Sequence, residues 1–348
     1  MMPLSPETAK LILTAGAAAP SGDNLQPWIV ERRADGFGLR VDPTRDLSLY
    51  NFQSRPALMA LGAMIENMVI AARASGLATT VRLAADGSRL LSADLTFEHT
   101  GIGPDPLHQA IGQRCTNRKP YERRAIAAEA MHSLRTAVPA GGNADVSFFE
   151  DRTALKTLAK AASLNDRLLF EIKILHERFF ETVRWTEAAA VGTRDGLFVD
   201  TLELGATAPG FKAMRSWTVT RTLNAFGSSV FAPVHSYQTF LRSAAFGFLQ
   251  MRGTDLASYV DGGRHMQRLW LTATLHGVSF QPMAGMLYLL WYLRHPDEAI
   301  TPAHRKVMAR ADALFRTVLA LDEHHAPIML FRLGYAGAPS ARSLRRPL

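Results

Sequence analysis

The alternation of apolar and polar residues in this chain runs through one series of helices and strands, reaches a dense basic cluster at Arg114 to Arg124, and there begins again. A pattern that restarts part-way along 348 residues points to two units, or to one fused double unit, and not to a single uniform architecture. The first series opens with helical spacing over 6–17, which ends in a turn-forming stretch, Pro20-Ser21-Gly22-Asp23-Asn24. Short extended runs follow at 27–32 and 37–41, and then a strong helix over 56–75. Leu58, Leu61, Ile65, Met68, Val69 and Ala72 form its apolar stripe and Gly76 closes it. Strand-like runs at 79–83 and 90–97 flank the hairpin signal Asp86-Gly87, and a short helix over 107–113 meets Arg114.

The second series has a helix over 127–137, a turn at 141–143, a strand at 145–150 and long helices to about 185. After a gap it continues with a strand over 245–251, helices over 256–276 and 302–321, and a strand at 328–334. The gap, 186–245, has glycines, prolines and the aromatics Trp217, Phe226, Phe231, Tyr237 and Phe240, with only weak periodicity, and reads as a lid or insertion. Helices outnumber strands throughout, so the expected class is α+β, built around mixed sheets.

Composition removes several function classes. With 47% hydrophobic residues the chain can bury a large core, and its one cysteine, Cys115, forms neither an intramolecular disulfide nor a multi-cysteine zinc site. The first residues have neither a basic start nor an apolar core, so a cytoplasmic location is expected. The apolar run over 282–293 is interrupted by Gly285 and is too short to span a bilayer, so no membrane partner is expected. A net charge of +8 comes largely from arginine, but the basic residues form no aromatic-interleaved stripe, so no nucleic-acid partner is expected either. His324-His325, near Asp322 and Glu323, lacks a further ligand at metal-binding spacing, and no metal is expected. There is also no phosphate-binding G-x-G-x-x-G, Walker loop or G-x-S-x-G elbow.

Four segments carry chemistry. Pro20-Ser21-Gly22-Asp23-Asn24-Leu25-Gln26-Pro27-Trp28 can offer backbone N–H groups, a hydroxyl and amides at close approach to a polar heterocycle. The plainer alternative is a turn whose side chains satisfy local backbone. Arg114-Cys115-Thr116-Asn117-Arg118 sets two guanidinium forks around a hydroxyl, an arrangement suited to a phosphate, although a solvated basic turn has the same composition. Phe280-Gln281-Pro282-Met283-Ala284-Gly285 follows a helix ended by Gly277 and can expose backbone donors, or simply cap that helix. The tail Arg342-Ser343-Leu344-Arg345-Arg346 is basic, as a frayed terminus also would be.

The first of these segments resembles the loop that nitroreductase-family flavoproteins set against their flavin, with every fixed position of Pro-Ser-x-x-Asn-x-Gln-Pro-Trp present and Gly22 where many members have serine. Arg114-x-Thr116-x-Arg118 is similar to the family's Arg-x-Ser-x-Arg phosphate segment, with threonine for serine. In a conventional member the phosphate segment comes first and two identical subunits complete the site; here the order is reversed. The resemblance is therefore closest to the tandem single-chain branch, which includes FMN-sequestering proteins of the mycobacterial Acg type. Leu61-Gly62-Ala63-Met64-Ile65-Glu66-Asn67-Met68 and Arg194-Asp195-Gly196-Leu197 also look like that branch. At the family's Pro-x-Glu-Gly turn this chain has Ala284, so the backbone role remains while a glutamate side chain is lost.

The resemblance implies a nitroreductase-like α+β fold of two degenerate halves, 1–112 and 113–348, forming a pseudo-dimer with the lid at 186–245. It implies one FMN held by Pro20, Ser21, Gly22, Asn24, Gln26, Arg114, Thr116, Arg118, Pro282, Ala284, Gly285 and the tail arginines Arg345 and Arg346. As an oxidoreductase such a chain would run ping-pong hydride transfer from NAD(P)H to a small acceptor. The alternative is an FMN-sequestering protein with a closed flavin face. No side chain stands out as a general acid or base.

Overall fold

A computed structural model of the chain describes residues 4–85 and 90–348, so the Asp86-Gly87 hairpin signal lies outside the described residues. The strands, in chain order, are β1 (Trp28–Arg32), β2 (Gly36–Val41), β3 (Leu77–Ala85), β4 (Leu91–His99), β5 (Ala144–Phe149), β6 (Val183–Arg184), β7 (Leu197–Phe198), β8 (Ala245–Arg252), β9 (Ser279–Pro282) and β10 (His325–Gly334). They form two four-stranded sheets, ordered β1-β2-β4-β3 and β5-β8-β10-β9, each antiparallel throughout. The α+β class is as expected. The mixed sheet resolves into these two antiparallel sheets, and the parallel pairing among the described residues is the short β6–β7 pair and the single bridge Gly253–His325.

The two sheets repeat one topology. In each, the first two strands in sequence pair, a long helix follows, and the strand after the helix takes the outer edge beside the last strand. The long helices are Arg55–Ala74 and Leu256–Leu275, each 20 residues, and each is followed by a left-handed glycine, Gly76 (φ 70°) and Gly277 (φ 65°). Only glycine adopts that conformation without a steric cost from Cβ.

These two helices pack against each other at the centre of the molecule, and reciprocal glycines allow their backbones to touch. A Cβ on Gly62 would lie 1.9 Å from the carbonyl oxygen of Val260, and one on Gly263 would lie 2.0 Å from that of Met59. Polar contacts fix the register. Buried Glu66 accepts from Arg264 Nε and Arg268 Nη1, both at 2.9 Å, and Asn67 accepts from Gln267 Nε2 at 2.6 Å while donating to the Ala15 carbonyl at 2.8 Å. A buried carboxylate held by two guanidinium groups avoids the penalty of an unpaired charge. The longest apolar helical stretch, Leu49–Ala74, would suit a bilayer by length and composition, but 83% of its most apolar window is buried inside the protein.

Three features depart from the reading of periodicity. The Ser279–Pro282 segment is an edge strand and not only a helix cap, and Pro282 ends it where no N–H is needed. The helix expected to reach 321 ends at Arg316. The weakly periodic 186–245 region is mostly helical, including Trp217–Ala225 and Ser228–Phe240. Its anchoring is aromatic: Phe211 packs on Phe179, Phe180 and Trp185, while His176 sits 5.2 Å from the Trp217 ring and bonds the Met214 carbonyl at 2.8 Å.

Candidate functional site

A cavity of about 1020 Å³ is bounded by the 20–24 loop, the Arg114–Arg118 segment, the 282–285 turn, the C-terminal tail and the inner side of the 202–240 helices. That volume lies at the upper end of the range for small-molecule and cofactor sites. Pro20, Ser21, Gly22, Asn24, Arg114, Thr116, Arg118, Pro282, Ala284, Gly285 and Arg345 all line it; Gln26 and Arg346 do not.

The 20–28 loop bends sharply. Asp23, Asn24 and Gln26 all have left-handed backbone, with φ of 44°, 57° and 53°. Asn and Asp tolerate this better than most residues, and a left-handed Gln marks a strained loop held by its surroundings. Those surroundings account for both amides. Asn24 Nδ2 donates to the carbonyls of Gly196 and Leu344 at 3.0 and 2.9 Å, and its Oδ1 accepts from Arg345 Nη1 at 2.5 Å. Gln26 Nε2 donates to the Arg194 carbonyl at 2.9 Å, and its Oε1 accepts from the Arg346 backbone N–H at 2.9 Å.

The Asn24 and Gln26 side chains therefore join loop, 194–196 element and tail, although Asn24 also borders the cavity. A buried amide needs its partners, and here the protein supplies them. The same stitching explains Gly196, where φ is 69° and a Cβ would lie 2.2 Å from the Thr182 carbonyl oxygen. Arg346 donates to the Leu25 carbonyl at 2.7 Å and belongs to this fastening, away from the cavity. Ser21 Oγ accepts from the Gln26 N–H at 2.9 Å, which leaves its own hydroxyl proton free.

The arginines divide into two groups. Arg114 is buried, rests over the Trp270 ring at 4.4 Å, and donates to the Ala18 carbonyl at 3.1 Å. Trp270 stacks in turn on Phe280 (4.6 Å) and Phe280 on Phe331 (4.4 Å), so a rigid aromatic column sets the guanidinium plane. Burial, reinforced by Arg345 and then Arg342, pushes Arg114 down to about 9. Arg345 is pushed down to about 10 by burial and by Arg342. Among the described residues none of these three forms an ion pair with Asp or Glu, and Arg114 Nε is buried without a hydrogen-bond partner. Three cations share a place that holds no acid.

Arg118 stands apart from them. It donates to the Thr201 carbonyl at 2.9 Å, and burial depresses it while Asp23 opposes that shift. Arg114 thus has the two tail arginines as charged neighbours and Arg118 has Asp23, although both line the one cavity.

Sequence reasoning missed an acidic wall of the same cavity. Asp23 is pushed up to about 6 by burial and by Asp46, against the pull of Arg118. Asp166 is pushed up to about 6 by burial, against hydrogen bonds from Ser236 and Asn165. Tyr50 donates to Asn165 Oδ1 at 3.0 Å. The one signal in the sequence was two poor helix formers, Asn165 and Asp166, inside a strongly helical stretch. His324 and His325, by contrast, form a local turn in which both backbone N–H groups donate to Asp322.

No protein-family model matches the chain. It is 26% identical over 350 residues to the uncharacterized protein MT1398 of Mycobacterium tuberculosis (strain CDC 1551 / Oshkosh), covering 99% of this chain and 48% of that one, so the chain spans about half the length of this relative. Among solved structures it is similar to a nitroreductase with bound FMN from Bacteroides fragilis NCTC 9343 (12% identity, TM-score 0.36, 70% of this chain and 95% of that chain). It is also similar to the FMN-dependent nitroreductase NfnB from Mycobacterium smegmatis in complex with NADPH (16% identity, TM-score 0.36, 66% of this chain and 86% of that chain). Overlap at this level says nothing of the ligand of this chain.

Proposed function

We propose that the chain holds one FMN in the cavity between two degenerate nitroreductase-like halves, 1–112 and 113–348, and acts as a flavin-dependent oxidoreductase. The observation that carries this reading is the cluster of buried Arg114, half-buried Arg345 and exposed Arg342, which lines the cavity and, among the described residues, forms no ion pair with an acid. A phosphate dianion would supply the missing charge and find one guanidinium fork, that of Arg114, already oriented by the Trp270 column. The repeated sheet topology and the equal central helices support the view that one chain imitates a dimer.

FMN, when bound, supplies the hydride chemistry. The residues of the chain do the rest. Arg114, Arg342 and Arg345 would hold the phosphate. The Ser21 hydroxyl and Gly22 backbone, together with the Pro282–Gly285 turn, would border the polar ring system, with Thr116 and Arg118 on the adjoining wall. Asn24 and Gln26 act as positioning residues that fix the loop and the tail. In this reading NAD(P)H is the donor, a small molecule is the acceptor, the exchange is ping-pong, and the setting is cytoplasmic.

A second reading, an FMN-sequestering protein, is favoured by one observation: the 202–240 helices contribute a wall of the cavity and would shield a bound ring. Purified protein titrated with FMN tests the shared premise, since failure to take up the flavin would sink both readings. Anaerobic NAD(P)H then separates them. Rapid bleaching, with colour restored by a nitroaromatic or a quinone, is expected of the enzyme; a flavin that stays yellow would overturn turnover with that donor and leave sequestration.

A further inference from the structure

The lid has two faces, and only the inner one has a partner. Ala232, Ser236, Thr239 and Phe240 of the Ser228–Phe240 helix look into the cavity. On the outer side, Val219, Leu223, Phe226, Val230, Phe231 and Val234 form a stripe at helical spacing across the Trp217–Ala225 and Ser228–Phe240 helices. All six are exposed, Phe226 at 86% and Phe231 at 71%. Solvent does not ordinarily face so many large apolar side chains on one element, and a contiguous patch of this kind marks an interaction surface.

The charge around the stripe identifies what it fits. From Glu203 to Asp255 the sequence has no acidic residue between them, while Lys212, Arg215 and Arg221 are exposed on the same lid. Among the described residues none of these three forms an ion pair. The acids on the neighbouring 173–182 helix are already matched, Glu177 by Lys173 and Glu181 by Arg178. Glu171 accepts from Ser229 and Arg167. The 204–245 part of the lid therefore combines exposed apolar side chains with exposed cations and no acid, which is the arrangement of a helix that lies in the interface of a bilayer with an anionic surface.

We propose that the outer face of the lid docks on an anionic lipid surface, with Phe226 and Phe231 entering the acyl boundary and Lys212, Arg215 and Arg221 meeting the headgroups. Docking holds the chain peripherally, since the one helix among the described residues long and apolar enough to span a bilayer is interior. The expectation of no membrane partner rested on the lack of a spanning segment, which peripheral docking does not need. The inference stands whether or not the cavity takes FMN.

The test is co-flotation of the full chain with vesicles of phosphatidylcholine alone or of phosphatidylcholine with phosphatidylglycerol. Binding is expected to the phosphatidylglycerol vesicles and to weaken with added salt. Phe226→Ser with Phe231→Ser should lower it by a hundredfold or more, since both rings leave the acyl boundary. Arg215→Gln with Arg221→Gln should lower it about fivefold per charge. Circular dichroism checks that these surface variants stay folded, and the charge pair serves if the aromatic pair does not. Absence of binding, equal binding to pure phosphatidylcholine, or an undiminished charge variant would each overturn the proposal. So would concentration-dependent dimerisation abolished by the serine pair, because a second copy would then be the occupant.

Discussion

Replacing Arg114 with glutamine separates a binding arginine from a structural one. Burial and the two tail arginines hold its guanidinium at about 9, against an ordinary value above 12. More than three decades of proton affinity correspond to ~4–5 kcal/mol by which the folded, ligand-free protein carries that charge unfavourably. Two contacts offset this. The charged hydrogen bond to the Ala18 carbonyl contributes ~1.5–3 kcal/mol, and the stack on Trp270 ~0.5–2 kcal/mol. Their sum roughly matches the penalty, so Arg114→Gln should leave the melting temperature of the flavin-free protein unchanged or raise it by a few degrees. Affinity should move the other way. Loss of charge-assisted bonds to a phosphate, ~3 kcal/mol, weakens FMN about a hundredfold. Calorimetric melts of flavin-free protein and flavin-fluorescence titrations measure the two effects. A variant that melts well below the parent yet retains FMN equally well would refute the reasoning and make Arg114 a strut.

Gly62→Ala and Gly263→Ala should each destabilise by ~1–3 kcal/mol or more, because a Cβ at 1.9 or 2.0 Å from a facing carbonyl forces the central helices apart. Once they are apart the second alanine costs less, so the double variant should fall short of the sum in chemical denaturation; strict additivity would mean that the two contacts are independent. Asp166→Asn should be more stable than the parent at neutral pH by up to ~3 kcal/mol. An acid raised to about 6 costs the folded state stability above that pH, and the cost vanishes as pH falls below the unfolded value of about 4. Melts that keep a constant difference from neutral pH down to about 4 would remove the assignment.

Much of the fold was legible because it is periodic. The stripe from Leu58 to Ala72 places the first central helix to within a residue of its observed start and end, and alternation with turn residues locates β1, β2, β5, β8 and β10. Capping chemistry is equally local: Ser5, Asp151, Asp255 and Thr301 each accept a backbone N–H at the start of a helix. The lid was illegible for the converse reason. The Ser228–Phe240 helix buries one side on the cavity wall and leaves large apolar side chains on the other, which weakens its amphipathic signal.

The sequence by itself determined which segments come together, since Ser21-Gly22, Arg114-Cys115-Thr116 and Pro282-Met283-Ala284-Gly285 all line one cavity. Only the tertiary structure decided what each side chain does there. Asn24 and Gln26 look alike as donors in a ligand loop, yet contacts more than 160 residues away in sequence consume both amides. Arg114 and Arg118 look like a matched pair, yet one joins Arg342 and Arg345 while the other faces Asp23. Local spacing fixes backbone period and side-chain type. Partnership across the fold, burial and the charge that burial leaves uncompensated depend on how distant segments meet, and no local pattern records that.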